Sequence, residues 1–309
     1  MRWWSPVPCA SKVICERGRS PKKLNGPALP LSRIQIDILR ILASKGNPES
    51  YVAGETPINR DSVRYSGDSH KFHDREDRVA SSAFADVAAL EEEGFGVEWM
   101  RQLPSIHTAE VTYGDSRTRL EWVVDSDFRF FPTMPDDIFG YVLHPVDLAI
   151  NKVMAAAGRR AVRDLIDLLT VHEKILPLGA VVWAAVEKSP GFTPEGLIAE
   201  IRRNSLYPLA DWRALQTSVP INPEEFSPQL RSILNEAETF VSRMPSEKAG
   251  LLFLEGGRCV QPNPEELNRY RTHAGARRGH WPGSPEISAA MFADHYKVPI
   301  DRVAEGPKE

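Results

Sequence analysis

The stretch "GETPINRDSVRYSGDSHKFHD", residues 54–74, decides the fold that the sequence predicts. Gly54 follows a short apolar run, where a strand would give way to a turn, and glycine tolerates the backbone angles of tight turns. Asp68 and His70 stand two residues apart, just before the apolar Phe72. Residues at that spacing on a strand point to the same face of a sheet. The stretch therefore predicts a turn and a strand that present polar groups side by side.

Helices and strands are both predicted around this stretch. Alternating polar and apolar residues predict strands in "SYVAGE", "KFHD", "FGVEWMRQ", "IHTAEVTYG" and "TRLEWVVDS", with a hairpin turn at Asp115-Ser116. Apolar residues at helical spacing predict helices within residues 31–46, 75–93, 145–157, 161–174, 177–188, 194–204, 223–244 and 285–295. The order of these elements predicts an α+β protein.

The order of these elements divides the chain into two predicted parts. Residues 31–144 are predicted to form a mixed sheet with flanking helices, and residues 145–300 a mostly helical C-terminal part, with the join near 132–145. Residues 1–30 are rich in Pro, Lys and Arg and show no periodicity, so we expect a disordered or mis-started extension there. The motifs discussed below cross the join.

Composition excludes several classes of protein. Of 309 residues 42% are hydrophobic and the formal net charge is −4, which does not describe a strongly basic nucleic-acid binder, although a local patch can still contact phosphates. Only three cysteines occur, without the Cys/His spacing of a zinc site, and a disulfide scaffold is not expected. No apolar run reaches the roughly 18 residues that span a bilayer. We expect a cytoplasmic protein with no membrane partner.

Acidic residues on neighbouring strands indicate phosphoryl chemistry. Magnesium takes oxygen ligands, usually one or two carboxylates together with substrate phosphates. Asp68 supplies one acid, and Glu121, between Leu120 and Trp122 in "RLEWVV", supplies a second one inside an apolar strand. A further acid beside a metal can complete the clamp or accept a proton. Two interpretations stay open for each acid: Asp68 is either a turn-forming residue beside Gly67 or a functional carboxylate, and Glu121 lies either on a solvent-exposed strand face or at a catalytic site.

Charged residues on the two helices predicted after Pro145 allow a functional and a purely structural interpretation. Lys152 lies among small apolar residues, so its tip reaches either a cleft and a partner charge or, by extending along the helix, the solvent. The spacing of Arg160 to Asp164 and of Arg163 to Asp167 is four residues, which intrahelical salt bridges alone would explain.

Four segments in order carry a family resemblance: "YVAGETPINRDS", "RYSGDSHKFHD", "LEWVVDSDFRFFP" and "FGYVLHPVDLAINKVMAAAGRRAVRDLIDLL". Together they resemble the AbiEii/AbiGii-type toxin nucleotidyltransferases, specifically over residues 31–205 and more loosely to about 290. The resemblance implies a nucleotidyltransferase fold that binds a nucleoside triphosphate (NTP) with Mg²⁺, or with Mn²⁺ in its place.

The resemblance also implies roles for particular residues. Gly54 and Thr56 match a phosphate-binding turn, and Ser66 matches the polar position before the acidic pair. An Asp-x-Asp metal pair corresponds to Asp68 and to the position of His70, and a strand acid corresponds to Glu121. The helical residues that match the nucleotide-binding and catalytic positions are Lys152, Arg163, Asp164 and Asp167.

Two positions depart from the family pattern. Glu55 stands where the family has a second small residue in the turn, and its charge would repel phosphate. His70 replaces the second metal carboxylate, and imidazole is a poor magnesium ligand that suits manganese or zinc better.

The predicted function is a metal-dependent transfer of a nucleotidyl group from an NTP to an acceptor. The resemblance implies the 3′ end of a tRNA as acceptor, and a bacterial toxin with a cognate antitoxin. The alternative is a degenerate family member that binds a nucleotide or a partner without catalysis, because the motif is Asp68-x-His70. A third interpretation is an interaction scaffold in which Arg277, Arg278, His280 and Trp281 contact RNA; a loop that packs against the core is the competing one.

Overall fold

The computed structural model describes residues 31–44, 46, 48–58, 68–218 and 220–282, and the side chains of Glu55 and Asp68 are not among the described ones. The predicted extension 1–30, Ser66 and the predicted helix 285–295 lie outside these residues. Within them, no helix is both long and apolar enough to cross a membrane.

The predicted helices and strands that fall within the described residues occur in the predicted order, together with several short elements that the sequence did not predict. The helices are α1 (Arg33–Ala43), α2 (Glu55–Ile58), α3 (Glu76–Glu92), α4 (Pro145–Gly158), α5 (Val162–Lys174), α6 (Leu178–Lys188), α7 (Pro194–Arg203), α8 (Leu209–Arg213) and α9 (Pro223–Arg243). The strands are β1 (Ser50–Val52), β2 (Asp68–His73), β3 (Gly96–Leu103), β4 (Ile106–Tyr113), β5 (Ser116–Val124), β6 (Phe128–Arg129), β7 (Met134–Asp136), β8 (Gly140–Val142), β9 (Leu252–Glu255), β10 (Arg258–Val260), β11 (Arg271–His273) and β12 (Ala276–Arg277).

A seven-stranded mixed sheet forms the centre of the N-terminal part, in the order β3-β4-β5-β2-β1-β8-β7. The strands β3, β4 and β5 form an antiparallel meander, and β2 inserts between β5 and β1. The pairs β2/β5 and β1/β8 are parallel, and the other pairs are antiparallel. The α+β prediction, with a mixed sheet and flanking helices before a mostly helical part, is confirmed.

The sequence did not predict β7 and β8, which lie in the segment assigned to the join. Both strands have three residues and contain or adjoin proline, glycine and aspartate, so no alternation is long enough to be recognised. Because β8 pairs with β1, the segment belongs to the main sheet.

One face of the sheet packs against α1 and α3. Apolar side chains of these helices and of β4 and β5 form a small core, which includes Ile38, Leu90, Val111, Leu120 and Trp122. The helices α1 and α3 have the predicted amphipathic spacing, which explains why they lie on this face. Ser32 begins α1 with a capping box in which Gln35 is the reciprocal partner.

The opposite face packs towards the helical part, and the core there is continuous. It joins Tyr51 of β1 with Leu148 of α4, Leu165 of α5 and Val181 of α6. The boundary at residue 145 coincides with the start of α4 but does not separate two hydrophobic cores.

The C-terminal part is not helical throughout. The strands β9, β10 and β11 form a three-stranded antiparallel sheet, and β12 pairs with β6. Residues 271–282, which we call the strap, therefore run back onto the N-terminal part. His273 and His280 both contact Phe130, through the imidazole of one and the backbone N–H of the other.

Candidate active site

The parallel register of β2 and β5 brings two of the predicted site residues together. His70 lies opposite Glu121 in this register. Their side chains meet with 2.9 Å between His70 Nε2 and Glu121 Oε2. Both residues lie on the face that is turned away from α3, because Lys71 and Trp122, their neighbours in sequence, bind Asp86 of α3. Glu121 is 16% exposed, whereas Arg119 on the same strand face is 45% exposed, so both interpretations of Glu121 stay open.

Hydrogen bonding and positive charge hold Glu121 in its ionised form. The hydrogen bond from His70 is the main reason why the pKa of Glu121 is lowered, and the charges of Arg119 and Arg101 act in the same direction. Burial opposes them. Arg119 Nε lies 3.4 Å from Glu121 Oε1. A carboxylate with a lowered pKa is suited to holding a cation and is a weak proton acceptor near neutral pH.

The described side chains fit a magnesium ion only in part. Among the residues that the structure describes, no cluster of three or more His, Cys, Asp or Glu side chains is positioned to hold a metal. Glu121 and His70 supply one carboxylate and one imidazole, and these already bind each other. The backbone of Asp68 lies two residues before His70 on β2. A magnesium site here therefore requires oxygen ligands beyond the described side chains.

The predicted phosphate turn follows β1 directly. Gly54 has a φ of +79°, a left-handed conformation that favours glycine over residues with a side chain. Thr56 is buried, with 1% of its surface exposed, and lies on the single-turn helix α2. Because α2 packs against β2, α4 and α5, it links the turn to the strand that carries His70 and to the two helices that carry the predicted cationic site.

Lys152 is buried in a cluster of charged groups between α4 and α5. Its Nζ lies 2.6 Å from Oδ2 of Asp167 and 3.7 Å from Oδ1 of Asp164. Lys152 is 4% exposed and both aspartates are 0% exposed. The interpretation in which Lys152 reaches the solvent is wrong, because its ammonium group ends on buried carboxylates. Buried charges persist in proteins when they are paired in this way.

Arg159 also belongs to this cluster, although the sequence pattern did not indicate it. Arg159 follows the last residue of α4 and binds Asp164 with two hydrogen bonds, Nε to Oδ2 at 2.7 Å and Nη2 to Oδ1 at 2.9 Å. Its spacing of five residues from Asp164 matches no helical repeat, and the chain turns between them. The available signal was the pair "RR" directly before a helix with two acids.

Arg160 and Arg163 are two further arginines close to this cluster in sequence. Arg160, predicted to pair with Asp164, instead donates to the Leu206 carbonyl and lies over the Tyr207 ring at 5.5 Å. Arg163 is an exposed residue of α5 and directly precedes Asp164. The intrahelical bridge from Arg160 to Asp164 is thus replaced by the pair Arg159–Asp164.

The strap packs against the N-terminal part of the protein, and the four residues predicted to contact RNA have partners within the chain. Arg277 pairs with Asp127, and Arg278 pairs with Glu49. His280 Nε2 lies 2.9 Å from the Ala274 carbonyl, and the Trp281 ring packs near Phe131. These contacts favour the interpretation of a loop that packs against the core.

No protein-family model matches this chain, and no curated protein matches it either. Among solved structures, the chain is similar to MenT4, a nucleotidyltransferase toxin from Mycobacterium tuberculosis H37Rv. The two are 15% identical, the similarity covers 70% of this chain and 84% of that one, and the TM-score is 0.43. A likeness of this degree carries no argument about function. The resemblance to the AbiEii/AbiGii-type family therefore stays a prediction.

Proposed function

We propose that the protein transfers a nucleotidyl group from an NTP to a hydroxyl group of an acceptor. The observation that carries this proposal is the pairing of β2 with β5, which puts His70 and Glu121 at 2.9 Å on one sheet face. The Gly54 turn follows the adjacent strand β1. A polar strand face beside a glycine turn has the parts needed to bind a triphosphate and to stabilise charge during its reaction.

In the proposed reaction the acceptor oxygen forms a bond to the α-phosphorus, and the bond to pyrophosphate breaks. The acceptor proton passes to solvent, since the lowered pKa of Glu121 makes that group a weak base. The Gly54 turn and Thr56 would contact phosphate, with Ser66 as a further contact. Lys152, oriented by Asp164 and Asp167, and the exposed Arg163 would contact the triphosphate.

A divalent metal ion, Mg²⁺ or Mn²⁺, is part of this proposal. Asp68, His70 and Glu121 are the residues that we assign to it. The imidazole of His70 favours manganese over magnesium. Such an ion would neutralise charge on the phosphates.

A transfer assay tests the proposal. Purified protein is incubated with each labelled NTP, total tRNA as acceptor, and Mg²⁺ or Mn²⁺. We expect label on the RNA with the native chain and loss of transfer in Glu121→Gln. Glu110→Gln is the matched control, because Glu110 lies on the next strand in the register of the sheet and opposite Arg119. The proposal fails if neither the native chain nor His70→Asp transfers label.

The second candidate function is binding of a nucleotide or a partner protein without catalysis. The contact between His70 and Glu121 favours it, because the imidazole takes the carboxylate oxygen that a metal would use. Calorimetry of NTP binding with and without metal separates the two candidates. Metal-independent binding without transfer supports the second one, and a gain of transfer in His70→Asp supports a degenerate catalytic site.

The biological setting that goes with the first proposal is that of a bacterial cytoplasmic toxin, with a tRNA 3′ end as acceptor and a cognate antitoxin as partner. Expression of the native chain in one bacterial strain and of Glu121→Gln in another tests this setting. Growth arrest by the native chain alone supports a toxin that acts through this site. Equal growth of the two strains contradicts it.

A further inference from the structure

Arg159 fixes the orientation of a buried carboxylate from the rim of the Lys152 cluster. The side chain of Arg159 is 51% exposed, whereas that of Asp164 is 1% exposed. The two hydrogen bonds between them measure 2.7 and 2.9 Å. A guanidinium group that binds both carboxylate oxygens sets the plane and direction of the pair, which a single-point contact does not do. Asp164 is therefore held in one orientation.

This orientation decides which carboxylate binds Lys152. Both oxygens of Asp164 accept hydrogen bonds from Arg159, and Lys152 Nζ stays 3.7 Å from the nearer one. That distance is longer than a hydrogen bond. The ammonium group lies instead 2.6 Å from Asp167. Two buried carboxylates compete for one ammonium group, and Arg159 settles the competition because it satisfies Asp164.

We propose that Arg159 is a positioning residue for the nucleotidyl transfer described above, on which this inference rests. Arg159 keeps Lys152 on Asp167, so the ammonium group has a single position relative to a bound triphosphate. Without Arg159, Lys152 would shift from Asp167 towards Asp164, and the cluster would carry an excess negative charge. Both changes weaken the binding of a triphosphate.

The experiment compares Arg159→Gln and Arg159→Lys with the control Arg203→Gln. Arg203 is an exposed arginine that pairs with Glu200 outside the cluster. The first readout is the NMR signal of the Lys152 ammonium group, assigned through its loss in Lys152→Met. The second is the dissociation constant of an NTP, measured by calorimetry. Thermal unfolding of every variant shows whether it is folded.

We expect Arg159→Gln to shift the Lys152 signal and to weaken NTP binding about 10-fold to 100-fold, the size expected for the loss of one hydrogen bond between charged groups. Arg159→Lys keeps the charge but loses the two-bond geometry, so it should restore binding only in part. Full restoration by Arg159→Lys would mean that charge alone matters and would overturn the positioning role. Arg203→Gln should leave both readouts unchanged.

Binding and transfer by the native chain separate a failed positioning role of Arg159 from a failed nucleotidyl transfer. If the native chain binds NTP and transfers label while Arg159→Gln changes neither the Lys152 signal nor the affinity, only the positioning role is overturned. If the native chain neither binds nor transfers, the proposed function falls, and the role of Arg159 in it falls as well.

Discussion

The ammonium group of Lys71 on β2 lies 2.7 Å from the carboxylate of Asp86 on α3, and both side chains are more than nine-tenths buried. The Trp122 indole N–H donates to the same carboxylate oxygen at 2.8 Å. This small network fastens α3 to the two parallel strands that carry His70 and Glu121. It lies on the sheet face opposite to the candidate site, so its effect on stability can be tested separately from activity.

Lys71→Met should destabilise the protein by about 3 kcal/mol, because it leaves the buried carboxylate of Asp86 without its cation and with a hydrogen bond from the uncharged Trp122 indole. Urea unfolding measures the change. Arg75→Met is the control, since the pair of Arg75 and Asp77 is exposed and its loss should change stability much less. Equal effects of the two substitutions would contradict the prediction.

His70→Asp should make folding stability depend on divalent metal. The substitution removes the hydrogen bond that lowers the pKa of Glu121 and puts a second carboxylate beside it. Repulsion lowers the melting temperature without metal, and Mg²⁺ should raise it again, because a ligand that binds only the folded state stabilises it. The native chain should respond less to Mg²⁺. The absence of any Mg²⁺ effect in the variant would count against a metal at this position.

The stability of the folded state should fall in acid because of three histidines. Burial lowers the pKa of His73 to about 3, and those of His144 and His273 to about 4. The unfolded chain therefore binds more protons than the folded one below the ordinary pKa of 6.5, and stability falls as the pH drops from there towards 4. Asp147 opposes this trend, because burial raises its pKa from 3.8 to about 6, so protonation there favours the folded state.

His144→Asn isolates one of these contributions. His144 Nδ1 accepts the backbone N–H of Val146 at the start of α4, and asparagine can cap a helix without titrating. The loss of unfolding free energy between pH 7 and about pH 4.5 should be smaller in the variant by about 1–3 kcal/mol. Urea unfolding at several pH values checks this, and parallel pH profiles for variant and native chain would refute it.

Gly279→Ala should detach the strap. Gly279 has a φ of +67°, and a Cβ placed there would lie 2.3 Å from the backbone carbon of Phe131. Gly256→Ala is the control, with a φ of +55° and no atom within 4 Å of the added carbon, so it should cost only the roughly 1–2 kcal/mol of a left-handed alanine. Hydrogen exchange should accelerate in residues 271–282 for Gly279→Ala alone. Similar exchange in both variants would disprove the close packing.

The sequence predicted the long elements well because their periodicity is local. It also indicated that residue 70 shares a face with residue 68, since strand alternation fixes that. The resemblance placed His70 and Glu121 at one metal site, but it did not predict that they bind each other directly, because strand register depends on the assembled sheet. The clamp of Arg159 on Asp164 was missed for a similar reason: it depends on how the chain turns between α4 and α5. The roles of the site residues stay predictions.

The position of β2 in the sheet has a consequence for the order of folding. The meander of β3, β4 and β5 needs only short connections, whereas His70 reaches Glu121 across the intervening helix α3 and the whole meander. Contacts between residues far apart in sequence form slowly, because a long loop must close before they are made. We therefore expect the meander to form first and β2 to dock on it afterwards. A ribosome-bound chain would have no site until β5 had emerged, and the Lys152 cluster would follow later still.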